Sequence, residues 1–362
     1  ASPNHRMSYN RPVNVGILGC GYWGPNLARN FARQPNASLV AVADVVQERA
    51  DRVAAEFRVP LSTTDPDDIL RNPGVDLVVV CTPVWTHYDL AKRAIEAAKH
   101  VLVMKPLATR TELAEELCAL AQRKGVLLAV DHTFIFTGAV QKIHELVGSG
   151  ELGELYYFDS VRINLGLFQQ DVNVLWDLAP HDISIMDYLI GELPDEVTAV
   201  GMCHGGSPTE NIAYLTVRYG SSFLGHVHVN WLAPAKIRRT IVGGSRKMLV
   251  YDDMEPSEKV RVYDKGVSFL ADAADSDEAQ YKPLVSYRSG DMWVPQLKTH
   301  EALALETDNV IGAIRGRNAL MVDGHDGTRV VRILEAAEES IRNSGAPVSI
   351  RPHGPVLKAV SG

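Results

Sequence analysis

The sequence predicts an α/β protein: a doubly wound parallel sheet at the N-terminus, followed by a second α/β domain on an open, largely antiparallel sheet. Three observations carry this. The first third alternates short apolar runs with helical patterns, the signature of right-handed βαβ units. A glycine-rich hexapeptide stands where the first apolar run gives way to the first helical pattern. From about Tyr156 the rhythm changes to longer stretches in which apolar and polar residues alternate, as in strands with one face covered and one open.

In chain order, residues 13–18 read as a strand and 23–33 as a helix, then 39–43 as a strand and 46–57 as a helix. Residues 77–81, 101–104 and 126–130 are further strands, with helices at 86–98 and 109–124 between them. The run 77–81 (Leu-Val-Val-Val-Cys) is apolar throughout, as a strand covered on both faces requires. In the second part, residues 155–163, 213–218, 223–230, 237–242 and 247–251 read as strands. Helices are predicted at 139–147, 182–189, 299–314 and 327–343. The acidic stretch 270–296 reads as a surface loop. The expected domains are residues 13–131 and 132–362, with 1–12 a disordered or appended N-terminal segment outside the fold.

The 362 residues suffice for two ordinary domains. The composition, 46% hydrophobic and 22% charged, is that of a soluble globular chain. A dispersed net charge of −8 argues against nucleic acid or an anionic membrane as partner. The four cysteines, Cys20, Cys81, Cys118 and Cys203, have no metal-site or redox-pair spacing, which favours a reducing cytoplasm. There is no apolar run of the ~18 residues a membrane span needs.

Gly19-Cys20-Gly21-Tyr22-Trp23-Gly24 has the spacing G-x-G-x-x-G after a strand and at the start of a helix. There the first glycine permits the turn, the second admits a pyrophosphate, and the third lets helix and strand pack closely. The uncapped helix N-terminus offers N–H groups to phosphate. Asp44 closes the second strand, where a carboxylate accepts from ribose hydroxyls and repels a 2′-phosphate. NAD(H) is therefore the expected cofactor, although Arg49 lies about one helical turn further on. Thr82 and Pro83 follow the strand at 77–81, so they belong at the ligand-binding edge of the sheet. A strand–helix turn without ligand, and a simple helix-initiating Thr-Pro turn, are the bland alternatives.

The glycine fingerprint, Asp44, Thr82-Pro83 with His87, Lys105-Pro106, and Asp177-Leu178-Ala179-Pro180-His181 occur in the order found in the Gfo/Idh/MocA oxidoreductases. The resemblance spans roughly residues 13 to 350. It implies a Rossmann domain and a C-terminal domain that binds substrate and mediates oligomerisation, as a homodimer or homotetramer. It also implies hydride exchange between NAD and a sugar or polyol carbon. Cofactor contacts are expected from residues 19–24, Asp44, Thr82, Pro83, His87, Lys105 and Pro106. Lys105, Asp177 and His181 would face the reacting hydroxyl. The chemistry agrees, since hydride can leave an alcohol carbon only if a base takes the O–H proton. An imidazole suits that near neutral pH, and a lysine cation stabilises the forming alkoxide.

One departure is Met104-Lys105-Pro106 where the family usually reads Glu-Lys-Pro, which removes a carboxylate that would support the lysine. Another is Ser184, rather than Asp, three residues after His181. His132, Phe134, Arg162, Asn164 and Trp176 are substrate-side candidates, with hinge packing the alternative for His132 and Phe134. His226 and His228 share a strand face without further metal ligands, so no metal is expected. The segment 165–182 resembles the branch acting on nucleotide-linked or amino sugars at C3. A non-sugar reductase on the same fold, or a cofactor-binding protein with impaired catalysis, remains the alternative.

Overall fold

The computed structural model describes residues 11–166, 172–269 and 285–350. The segments 1–10, 167–171, 270–284 and 351–362, which include Leu167, Phe168 and Asp171 of the sugar-branch resemblance, lie outside the described residues. The chain forms two compact units. One runs up to Thr137 and includes Thr299–Glu335; the other comprises Gly138–Lys298 and the residues from Ala336 onward.

The first unit is a parallel six-stranded sheet. It contains β1 (Val13–Leu18), α1 (Gly24–Arg33), β2 (Ala37–Ala43), α2 (Gln47–Phe57), β3 (Leu61–Thr63) and α3 (Asp67–Leu70). These are followed by β4 (Leu77–Val80), α4 (His87–Glu96), β5 (His100–Met104), α5 (Thr111–Lys124) and β6 (Leu128–Asp131). The strand order is β3-β2-β1-β4-β5-β6, with every neighbouring pair parallel. The order reverses between β1 and β4, and sheets of this kind bind ligands beyond the carboxyl ends of the strands at such a switch. All four residues of β4 are buried.

The expected boundary after residue 131 is too simple. Helix Ala302–Ile314 inserts Leu303, Val310, Ile311 and Ile314 into the core formed by Val15, Ile17, Leu27 and Phe31. The start of helix Gly324–Arg342 lies equally close, since a Cβ at Gly327 would stand 2.6 Å from Val130. Helical periodicity identifies an apolar face but not which sheet it covers, so this return of the chain was not legible in the pattern.

The second unit opens with α6 (Gly138–Gly148), β7 (Leu155–Leu165) and α7 (Val174–Ile190). It continues with β8 (Glu196–Met202), β9 (Ile212–Tyr219), β10 (Phe223–Asn230), β11 (Leu232–Gly244), β12 (Met248–Asp252) and β13 (Val260–Tyr263). Among the described residues the sheet has nine strands, with β11-β7-β10-β9-β8 at its centre and Met292–Trp293 and Val348–Ser349 at its edges. Only the β7–β10 pairing in it is parallel among the described residues. Helix α7 covers one face, close enough that a Cβ at Gly225 would stand 2.5 Å from Met186 Sδ. The other face carries Tyr157, Val200, Met202, Tyr214 and Leu224, all exposed. Part of the stretch read as a loop is strand: Val285–Arg288 pairs with Gly266–Phe269, and Met292–Trp293 with β13. These strands are two to four residues long, too short for a periodicity signal.

Candidate active site

At the end of β1 the backbone turns at Gly19 with φ +99°, and a Cβ there would lie 2.2 Å from the Cys81 carbonyl oxygen. A Cβ at Gly24 would lie 2.3 Å from the Gly19 carbonyl oxygen. Both glycines are therefore demanded by the fold. Gly21 differs: it is exposed, and a Cβ there would meet nothing within 4 Å. Helix α1 then starts without a side-chain cap and without an acid in its first turn. That leaves a positive helix end above open space, which suits a phosphate. Tyr22 and Trp23 stand exposed beside it, edge to face at 5.5 Å.

The Asp44 carboxylate closes the turn from below. Its Oδ2 accepts from the Cys20 N–H at 2.7 Å and its Oδ1 from the Val46 N–H at 2.9 Å. Each oxygen retains a lone pair for a further donor. Arg49 Nη1 stands 3.9 Å from Oδ1. The Cys20 thiol is buried, and burial pushes it up to about 12, so it is an inert part of the turn. The residues around the glycine turn thus fit a dinucleotide.

Thr82 and Pro83 follow β4, and Lys105 and Pro106 follow β5, at the same carboxyl end of the parallel sheet. The Thr82 and Thr86 hydroxyls are hydrogen-bonded at 2.6 Å. His87 corrects an expectation. Its ring is 1% exposed, with Nδ1 2.8 Å from the Pro106 carbonyl oxygen and Nε2 2.8 Å from that of Thr82. A neutral ring donates to only one of these two carbonyl oxygens, and at 1% exposure it offers almost no surface to a cofactor. Burial lowers its pKa, the Pro106 and Thr82 carbonyl oxygens pull it back up, and the Lys105 charge adds to the lowering.

Lys105 is half-buried and acts electrostatically on His87, Asp131 and His132. His132, expected on the substrate side, is 1% exposed, and among the described residues neither ring nitrogen has a hydrogen-bond partner. Burial and then Lys105 push it down to about 3, so it is neutral. Phe134 sits half-buried in the short turn Thr133–Phe136.

In the second unit, Asn173 caps α7 by accepting from the Trp176 N–H at 3.1 Å, so the helix starts eight residues before the predicted one. Pro180 lies inside it, and Asp177 and His181, four apart, share a face. Asp177 Oδ2 accepts from the Trp231 Nε1–H at 3.1 Å. Trp231 is fully buried against Gly166, where a Cβ would stand 2.5 Å from the indole. The motifs gave no sign of Trp231; its one signal was a tryptophan directly after a predicted strand. Ser184 donates to the His181 carbonyl oxygen at 2.9 Å.

Two further expectations are corrected. Arg162 is 3% exposed and forms a fork with Asp182, Nε to Oδ2 at 2.6 Å and Nη2 to Oδ1 at 3.1 Å. Ser160 donates to the same carboxylate at 2.7 Å. Inward alternation along β7 brings the guanidinium beneath α7 rather than toward substrate. Trp176 is 7% exposed and is a core side chain. Asn164 remains half-buried at the end of β7. On the open sheet face His226 pairs with Asp159 at 3.0 Å, and Tyr214 stacks on His226 and His228.

Comparison with known proteins identifies the family and the fold. The family profile described as "Oxidoreductase family, NAD-binding Rossmann fold" matches residues 13–132, and the Gfo/Idh/MocA C-terminal domain profile matches 140–250. The scyllo-inositol 2-dehydrogenase (NAD(+)) of Bacillus subtilis is 26% identical over 93% of this chain and 96% of its own. The UDP-N-acetylglucosamine 3-dehydrogenase of Acidithiobacillus ferrooxidans is 28% identical over 88% of this chain and 94% of its own. A solved structure of the latter superposes with a TM-score of 0.76 at 24% identity, covering 91% of this chain and 97% of that one. The chain belongs to the Gfo/Idh/MocA family of NAD-binding oxidoreductases.

Proposed function

We propose that this protein is an NAD(H)-dependent sugar dehydrogenase or ketoreductase, acting at C3 of a nucleotide-linked or amino sugar. The observation that carries it is topological. Lys105 follows β5 at the same end of the parallel sheet as the open glycine turn after β1 and Thr82 after β4. The relatives that act on inositol and on UDP-N-acetylglucosamine support a polyol or sugar hydroxyl, and the second supports C3.

Gly19, Gly21, Gly24 and the N-terminus of α1 would hold the pyrophosphate, with Cys20, Tyr22 and Trp23 walling the turn. Asp44 would hold the adenosine ribose, and Thr82, Pro83, Lys105 and Pro106 would border the nicotinamide end. When bound, NAD⁺ would supply the hydride acceptor for the alcohol carbon. The O–H proton goes to His181 as general base, the C–O bond becomes a carbonyl, and Lys105 stabilises the alkoxide that develops between these events. Asp177, held by Trp231, supports the imidazolium. Asn164 and Phe134 are the remaining candidates for substrate contact.

The exposed apolar side chains on the open sheet face support a homo-oligomer that covers them. Light scattering tests this, and a monomer of 39.7 kDa at micromolar concentration contradicts it. Four free cysteines accord with a reducing cytosol. The functional reading is tested by mixing the protein with NAD⁺ and a panel of nucleotide sugars, inositols and aminoglycosides and following NADH absorbance. Turnover confined to non-carbohydrate alcohols contradicts it.

A further inference from the structure

Position 104, directly before the lysine, carries a thioether where a carboxylate would be the natural partner for a cation. Strand pairing shows what stands beside it. Met104 is in register with Asp131 on the neighbouring parallel strand, so the two side chains leave the sheet on the same face. Met104 packs against the core that helix Ala302–Ile314 completes. Glu306 lies on that helix, one turn from both Leu303 and Val310.

Asp131 and Glu306 are 2% and 1% exposed. Asp131 Oδ1 accepts from the Thr133 N–H at 3.0 Å and from the Thr133 hydroxyl. Among the described residues, its Oδ2 and both oxygens of Glu306 are buried with no hydrogen bond of ordinary geometry. The two carboxyls nevertheless act on each other and raise Glu306 far above its ordinary value, with burial the largest cause. Burial also raises Asp131, while Thr133, Glu306 and Lys105 oppose that rise. Two like charges at this depth are not sustained together. The proton belongs on Glu306 and the charge on Asp131, which has the donors and the nearby ammonium.

We infer that Asp131 and Glu306 share one proton and that the remaining negative charge makes Asp131 a positioning residue for Lys105, supplying the carboxylate missing at position 104. The other titratable groups around this cluster add no compensating charge. His132 is neutral for the reasons given, burial lowers His87, and the Cys81 thiol is pushed up to about 12 by burial and by Asp131. A glutamate at 104 would bring a third carboxyl into the same buried group, which accounts for an apolar residue there.

The inference rests on the proposed role of Lys105 in proton handling, and its test is chosen to need no substrate. Lysines of the full-length protein are reductively ¹³C-methylated, and the Lys105 resonance, assigned by its loss in Lys105→Arg, is titrated by NMR. Asp131→Asn keeps the acceptor for the Thr133 N–H and removes the charge. The Lys105 pKa then falls by about one unit or more, and Met104→Glu in the Asp131→Asn background restores it. An unchanged titration in Asp131→Asn, or no restoration by the added glutamate, overturns the inference. If Asp131→Asn does not fold, Glu306→Gln decides. The infrared C=O band of a buried protonated carboxyl is present in the wild type and absent in this variant; a wild type without that band overturns the proton-sharing pair. Failure to turn over any sugar with NAD⁺ contradicts the functional reading alone.

Discussion

Asp177 accepts a hydrogen bond from the indole nitrogen of Trp231 at 3.1 Å, and that indole is buried to 1% exposure. The bond joins the end of β10 to the face of α7 that carries His181 and holds a carboxylate proposed to face the reacting hydroxyl. Hydrogen bonds to charged groups contribute about 1.5–3 kcal/mol. Trp231→Phe is therefore expected to lower kcat about tenfold while NADH affinity, read by fluorescence titration, stays within twofold. A normal kcat in Trp231→Phe removes the indole from the positioning of Asp177.

Arg162 and Asp182 form a buried fork within the second unit. Removing one partner from such a pair costs about 3–5 kcal/mol because the other charge is left buried alone. Asp182→Asn or Arg162→Met should lower the denaturation midpoint strongly. The double variant Arg162→Met/Asp182→Leu should recover most of the loss. An Arg162→Met protein of normal stability but raised KM would return Arg162 to the substrate.

Asp44 would serve two tasks, because the oxygens proposed to hold a ribose also accept from the Cys20 and Val46 N–H groups. Asp44→Ala should raise the NADH dissociation constant about tenfold and erode discrimination against NADPH, with Arg49 then free to meet a 2′-phosphate. It should also lower stability by about 1–3 kcal/mol through the orphaned Cys20 N–H. Wild-type protein that binds NADPH more tightly than NADH would contradict the assigned role.

Buried titratable groups in the first unit predict opposite pH trends. His132 falls to about 3 and His100 to about 4, both chiefly by burial, from an ordinary value of 6.5. Between those values the folded state binds fewer protons than the unfolded chain, so this stability is present above pH 6.5 and is lost as pH falls. Glu306 is raised above its ordinary 4.5, so the folded state binds more protons there and stability falls as pH rises through its folded value. In thermal melts, His132→Phe should gain on the wild type as pH drops below 6.5. Glu306→Gln should gain as pH rises above 4.5. Gains that do not vary with pH would contradict these assignments.

The parallel sheet was legible because covered strands such as 77–80 are apolar throughout and the glycine turn sits at a fixed junction. The start of α7 was not, because Pro180 reads as a helix-initiating residue and the capping signal at Asn173 is a single side chain. Arg162, His132 and His87 are polar residues near motif positions, and sequence alone does not distinguish a buried, internally used polar group from one that faces ligand. Burial and partners decide that, and both depend on groups further along the chain: the Asp182 carboxylate for Arg162, and the Pro106 backbone carbonyl for His87. The carboxyl pair joins residues 131 and 306, a separation no local pattern spans.

The central claim is that Lys105 and His181 manage the proton while hydride leaves a sugar carbon. The most direct measurement is steady-state NADH production by wild type, Lys105→Ala and His181→Ala on the best substrate of the panel, with NADH affinity measured in parallel. Each substitution should lower kcat by ~10²–10⁴ with cofactor binding nearly intact. The double variant should lose less than the product of the two, since groups acting on one proton are not additive. A Lys105→Ala or His181→Ala enzyme with near-wild-type turnover would contradict the account.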